Sequence, residues 1–138
     1  MRIAKLNKLL IELLIVIIDG HSEQNRGLVT EKKDLYAVKN ALVYIRENYG
    51  RKITLDEIAR YALIDKYTLC KIFKRTTGQT VFENLNSHRC IKASEYISEG
   101  KTVSEAAYLC GFENNSFFTK IFKRYMGELP SKFACKNK

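Results

Sequence analysis

Basic side chains recur at matched places in two stretches of this sequence: Lys66, Lys71, Lys74 and Arg75 in the first, Lys120, Lys123 and Arg124 in the second. Lysine and arginine at helical spacing attract phosphates and donate to base edges, so the chemistry they suit is recognition of a polyanion. The 138 residues carry 24 Lys and Arg against 15 Asp and Glu, a net of +9. The excess is uneven: residues 66–138 hold 13 basic and 6 acidic side chains, residues 1–65 hold 11 and 9. Such a balance implies nucleic acid or an anionic membrane surface as partner. On composition alone, a generally basic and well-solvated surface fits as well. Other chemistry lacks its residues. Cys70, Cys90, Cys110 and Cys135 stand 20, 20 and 25 apart with no Cys-x-x-Cys pair, and His21 and His88 have no ligand spacing. A metal centre or cofactor is therefore not expected, and the cysteines read as reduced thiols in a cytoplasmic protein. Ser, His and Asp are too scattered for a triad and there is no glycine-rich phosphate loop, so no enzyme is expected.

The elements that must position the basic residues are legible from a repeat. Residues 53–78 are echoed by residues 101–127. Thr54, Glu57 and Ala59 return 48 residues later as Thr102, Glu105 and Ala107. Leu69, the run Lys71–Arg75 and Gly78 return 49 residues later as Phe118, Lys120–Arg124 and Gly127. One inserted residue between the two offsets implies a turn there, with a helix on either side. Thr54 with Glu57 and Thr102 with Glu105 spell capping boxes. Leu55, Ile58, Ala59 and Ala62 form the inner face of one short helix, and Val103, Ala106, Ala107 and Cys110 that of the other. Asp65 and Asn114 are N-cap candidates for second helices that bury Leu69, Ile72 and Phe73, or Phe118, Ile121 and Phe122. Two helices across a tight turn, the second apolar on one face and basic on the other, form a helix-turn-helix. An isolated helical hairpin also occurs in bundles that bind no DNA; the duplication and the matched charge favour the reading as DNA contacts.

Phe82, Leu85, Arg89, Ala93 and Tyr96 mark a linker helix over about residues 81–97, roughly 25 Å long at 1.5 Å per residue. A strut of that length holds two helices near one DNA turn apart, about 34 Å. Arg89 within it has two readings, a stitch between the halves or a phosphate contact; we expect the stitch. Leu35, Val38, Leu42, Ile45 and Tyr49 form an earlier stripe that ends near Gly50, a C-cap candidate. Residues 19–34 are polar, with two glycines, and read as a linker. Before them, Leu6, Leu10, Leu13, Leu14 and Ile17 lie on one face of an apolar helix within residues 1–18. The run Leu9–Ile18 is too short to span a membrane and is interrupted by Glu12, so neither an export signal nor a membrane partner is expected. Either a second copy of the chain or the helix of residues 35–49 would cover this face; we expect a weak homodimer through residues 3–18.

The pattern Ala107-x-x-Cys110-Gly111-Phe112 through Ser116, Phe118, Phe122-Lys123, Gly127 and Pro130 resembles the DNA-binding domain of AraC/XylS-type bacterial transcription regulators. The first copy (Leu55, Ile58-Ala59, Leu69, Phe73-Lys74, Gly78) and the strut (Phe82, Leu85, Arg89, Ala93) resemble it too, and the likeness covers about residues 36–134. The resemblance implies an all-α fold: two helix-turn-helix units, about 54–77 and 102–126, joined by the linker helix within a domain of residues 35–134. It also implies sequence-specific binding of double-stranded DNA, both units reading major groove, and a contact with RNA polymerase. Carried over residue by residue, the first recognition helix presents Lys66, Tyr67, Cys70 and Lys71, with Lys74 and Arg75 behind them. The second presents Asn115, Ser116, Phe117 and Lys120, with Lys123 and Arg124. Three departures stand out: Lys71 and Lys120 replace a common arginine, Leu63 replaces a common turn glycine, and Ala134 replaces a common arginine. Residues 1–35 are too short for the sensing domain usual in the family, so a carboxy-terminal piece and an unusually short regulator both fit. The rival reading from another class is an all-helical protein-interaction adaptor whose charge is incidental.

Overall fold

The computed structural model describes Leu9, Leu13 and residues 26–137, with side chains from residue 31 onward. Leu9 and Leu13 are helical and more than half exposed. The rest of the apolar segment, residues 19–25 of the proposed linker, and His21 lie outside the described residues. Among the described residues the fold is all-helical: α1 (Arg26–Asn48), α2 (Leu55–Tyr61), α3 (Lys66–Thr77), α4 (Val81–Ser98), α5 (Val103–Leu109), α6 (Asn115–Met126) and α7 (Pro130–Lys136).

Two of these elements depart from the sequence reading. Helix α1 begins at Arg26 rather than Leu35, so residues 26–34 are helix and not linker. Their polarity reflects exposure, since Glu31, Lys32 and Lys33 are exposed and good helix formers, and burial begins at Ala37. Helix α7 carried no clear periodic signal. Pro130 at its first turn needs no amide partner, and Phe133 secures it by stacking edge-on against Phe122, ring centroids 5.7 Å apart.

The chain folds around two apolar cores. Val38, Ala41, Leu42 and Ile45 of α1 close on Ile58 and Ala59 of α2 and on Leu69, Ile72 and Phe73 of α3. The second core gathers Cys90, Ala93 and Ile97 of α4 with Ala106 and Ala107 of α5 and Phe118, Ile121 and Phe122 of α6. Helix α4 contributes Val81 and Leu85 to the first core and its later turns to the second. Serving both sides, it buries no single stripe: Leu85 and Ala93 are covered, Tyr96 is half-buried, and Phe82 faces solvent. Cys90 and Cys110 are free thiols inside the second core, each pushed up to about 12, foremost by burial; Cys70 and Cys135 are free and exposed. His88 lies edge-on to Tyr49 at 5.0 Å, and burial, with Lys92 and Arg46 nearby, lowers it to about 4, so it packs as a neutral ring.

Arg89 stitches the halves. Arg89 donates from Nε to the Tyr49 carbonyl and from Nη2 to the Arg51 carbonyl, both at 2.8 Å, while its guanidinium lies 5.8 Å from the centre of the Phe112 ring. One α4 side chain thus ties the loop between α1 and α2, which leads into the first unit, to the turn of the second. Gly50, expected from its place after α1 to be a C-cap glycine, is not left-handed; its role is proximity, because a Cβ there would stand 3.0 Å from the Leu109 carbonyl oxygen.

Candidate nucleic-acid interface

Helices α3 and α6 are set by the same turn built twice. After α2 the amides of Leu63 and Ile64 reach back to the carbonyls of Arg60 and Ala59; after α5 those of Gly111 and Phe112 reach back to Tyr108 and Ala107. The next residue in the first unit, and the next but one in the second, caps the following helix. Asp65 accepts from the Thr68 amide at 2.9 Å and the Thr68 hydroxyl at 2.6 Å, which holds its carboxyl below the usual range. Asn114 Oδ1 accepts from the Phe117 amide at 3.0 Å. Gly78 and Gly127 close α3 and α6 in the left-handed conformation. The capping boxes are unequal. Thr102 and Glu105 satisfy each other reciprocally, whereas Glu57 turns from Thr54 to Arg51, 3.1 Å away, which lowers its carboxyl. Thr80 and Glu83 form a further complete box at the start of α4.

The turn in the first unit carries strain. Leu63 has φ 59° where its counterpart Gly111 has φ 84°, and its side chain is 88% exposed, so no packing compensates. A left-handed non-glycine residue costs about 1–2 kcal/mol, and glycine loses about 0.5–1 kcal/mol in entropy. Leu63→Gly is therefore expected to stabilise the chain by about 0.5–1 kcal/mol. A denaturation midpoint that stays put or falls would show that the turn is unstrained.

Buried Leu69, Ile72 and Phe73 turn the opposite face of α3 outward, and Phe118, Ile121 and Phe122 do the same for α6. On α3, Tyr67 (78% exposed), Cys70, Lys71, Lys74 and Arg75 reach the surface. On α6, Asn115, Ser116, Phe117 (47% exposed), Lys120, Lys123 and Arg124 do. The two basic sets differ in their surroundings. Lys66 Nζ lies 3.6 Å from Asp56 of α2, and Arg75 Nη2 lies 2.9 Å from Asp34 of α1. Lys74 Nζ donates to the Gly78 carbonyl at 3.0 Å and stands 3.9 Å from Glu83. Among the described residues, Lys71, Lys120 and Lys123 have no carboxylate within ion-pair distance, nor does Arg124, whose guanidinium lies against Tyr125. Charge counting along the sequence missed Asp34 and Asp56 as counter-charges, since no helical pattern links Arg75 to Asp34 across 41 positions or Lys66 to Asp56 across the turn between α2 and α3; the Thr80–Glu83 box was a visible signal for Glu83.

Between the units lies a cleft of about 300 Å³ framed by Ile53, Phe82, Arg89, Phe112 and Phe117. Its walls come from three separate segments, which no sequence pattern connects. No group of three metal-ligating side chains occurs among the described residues, and no described helix is long and apolar enough to cross a membrane.

Residues 58–135 match the family model described as a helix-turn-helix domain, more than half of the chain. The chain belongs to the AraC/XylS-type transcription regulators. An HTH-type transcriptional regulator from Pseudoalteromonas carrageenovora is 32% identical over 96 residues, covering 70% of this chain and 57% of that protein. The chain spans about half the length of several such curated relatives. A probable AraC family transcriptional regulator from Rhodopseudomonas palustris, 28% identical, superposes with a TM-score of 0.70 over 74% of this chain and 97% of that one. The DNA-binding domain of AdpA, solved in complex with a target DNA, shares the fold at a TM-score of 0.67 and 20% identity, covering 72% of this chain and 91% of that one. As in other AraC/XylS-type domains, α2–α3 and α5–α6 are the paired helix-turn-helix units and α4 is the helix between them.

Proposed function

We propose that this AraC/XylS-type domain binds double-stranded DNA in a sequence-dependent manner and regulates transcription, α3 and α6 each entering a major-groove segment. The observation that carries the reading is the duplicated turn, which presents a basic face from α3 and again from α6. Lys66, Tyr67, Cys70 and Lys71 are the reading residues of the first helix, backed by Lys74 and Arg75. Asn115, Ser116, Phe117 and Lys120 are those of the second, backed by Lys123 and Arg124. Lys71 and Lys120 act as point charges and donors, without the planar fork with which arginine grips guanine. DNA as partner implies a cytoplasmic location, and contact with RNA polymerase is a further part of this reading. So is a weak homodimer through residues 3–18, supported by the exposure of Leu9 and Leu13. Sedimentation of the intact chain against one beginning at Glu31 tests it; two monomers at high concentration would end it.

Selection of bound sequences from a random duplex library tests the main reading and yields the operator. Against that operator, Lys71→Ala and Lys120→Ala are each expected to lose about 1–3 kcal/mol and relax the preference at one base position. Lys123→Ala and Arg124→Ala are expected to weaken all sequences evenly, as the loss of a phosphate contact does. If no sequence is enriched and affinity is indifferent to salt, the chain is an interaction adaptor instead.

A further inference from the structure

The two reading helices are unequal in available charge. On α3, Lys66, Lys74 and Arg75 each stand within 4 Å of a carboxylate, supplied by α2, α4 and α1 respectively. On α6, Lys120, Lys123 and Arg124 have none at that distance among the described residues. Glu83 occupies a shared position: it pairs with Lys74 at 3.9 Å and is close enough to Arg124 for that charge to act on its carboxyl. We propose that Asp34, Asp56 and Glu83 serve as built-in counter-anions to the first reading helix. The second unit then supplies most of the sequence-independent attraction to DNA, and the first contributes chiefly discrimination. The inference rests on the DNA-binding reading above and goes beyond it by assigning a role to acidic residues that would not themselves hold DNA.

The physical reason lies in counterion release. The salt dependence of binding scales with the phosphates that the protein neutralises. A cation already facing a carboxylate brings little net charge to a phosphate. Exposed ion pairs are weak and will open, yet the carboxylate stays well within a Debye length of about 8–10 Å and repels the incoming phosphate. Weak general attraction combined with intact base contacts raises the ratio of specific to non-specific affinity, which governs site selection in a genome. Lys71, the α3 base-reading lysine without a carboxylate beside it, is the side chain this arrangement leaves fully charged for the groove.

The test is a salt titration of binding to a mixed-sequence duplex, using the full chain. Glu83→Gln removes the charge while glutamine still completes the capping box with Thr80. Asp34→Asn removes the charge next to Arg75 and leaves an oxygen to accept from it. Each is expected to raise affinity severalfold at low salt and to steepen the slope of log K against log salt by up to about 0.9, the value for one added phosphate contact. Glu105→Gln is the control: it makes the same change in the other complete capping box, at the start of α5 in the second unit, where no basic side chain of α6 is paired with Glu105. It is expected to leave the slope unchanged. Melting curves confirm that all the variants fold. Equal effects from Glu105→Gln and Glu83→Gln would reduce the phenomenon to net charge and overturn the inference. So would folded Glu83→Gln and Asp34→Asn variants with the parental slope, in which case DNA binding itself still stands. Absence of duplex binding by the parent chain would instead remove the reading on which the inference depends.

Discussion

Phe122→Ala is expected to destabilise the chain by about 3–5 kcal/mol, the usual cost of truncating a buried aromatic ring. Phe122 has no solvent exposure and is the centre of an aromatic chain: Phe112 meets Phe118 at 4.9 Å, Phe118 meets Phe122 at 5.5 Å, and Phe122 meets Phe133 of α7. Removing it leaves a cavity and unhooks α7 at once. Phe73→Ala, at the equivalent place in the first unit and equally buried, is expected to cost about as much. The effects separate in space because the cores do. Hydrogen exchange should show protection lost first from α2 and α3 in the Phe73 variant, and from α5 to α7 in the Phe122 variant. On the proposed function, both variants should fail to bind duplex DNA because α3 or α6 is no longer held. Melting curves that barely move for either would mean that these rings do not pack as the repeat implies.

Gly111→Ala is expected to be the most damaging of the small substitutions, at about 2–5 kcal/mol. Two costs coincide there. The backbone is left-handed, with φ 84°, and an added Cβ would stand 2.7 Å from the Tyr49 carbonyl oxygen and 3.1 Å from Arg89 Nη2. Both neighbours belong to the stitch between the units, so neither yields cheaply: moving the carbonyl breaks the bond it accepts from Arg89. Gly127→Ala is the comparison. It has the same φ of 84° with nothing within 4 Å of the added carbon, so it bears the conformational cost alone, about 1–2 kcal/mol. Chemical denaturation of the two variants measures the difference. Equal losses would show that the contact with Tyr49 and Arg89 contributes nothing. Because the crowding falls on the joint, Gly111→Ala is also expected to weaken DNA binding under conditions in which the chain stays folded.

Much of this protein is written locally. The two turns, the N-caps at Asp65 and Asn114, and the buried faces of α3 and α6 follow from residues within four positions of one another, so a 48–49 residue repeat exposes them, whereas the left-handed caps at Gly78 and Gly127 appear in the fold. Family membership was legible for the same reason, since the pattern from Ala107 to Pro130 combines turn chemistry and core spacing in one short stretch. Helix α1 was legible only from Leu35, because its first turns extend beyond the core and carry no apolar period to mark them. The complete capping box expected at Thr54 is half made because Arg51, placed by the turn after α1, draws Glu57 away. What only the tertiary structure decided are the pairings between residues far apart in the chain. Arg89 meets carbonyls 40 and 38 residues before it, Arg75 meets Asp34 across 41, and Gly111 owes half its necessity to Tyr49. Such contacts depend on how the helices cross and how deeply the units dock against α4. Neither is encoded in periodicity, which records the face a helix buries but not the neighbour it is buried against.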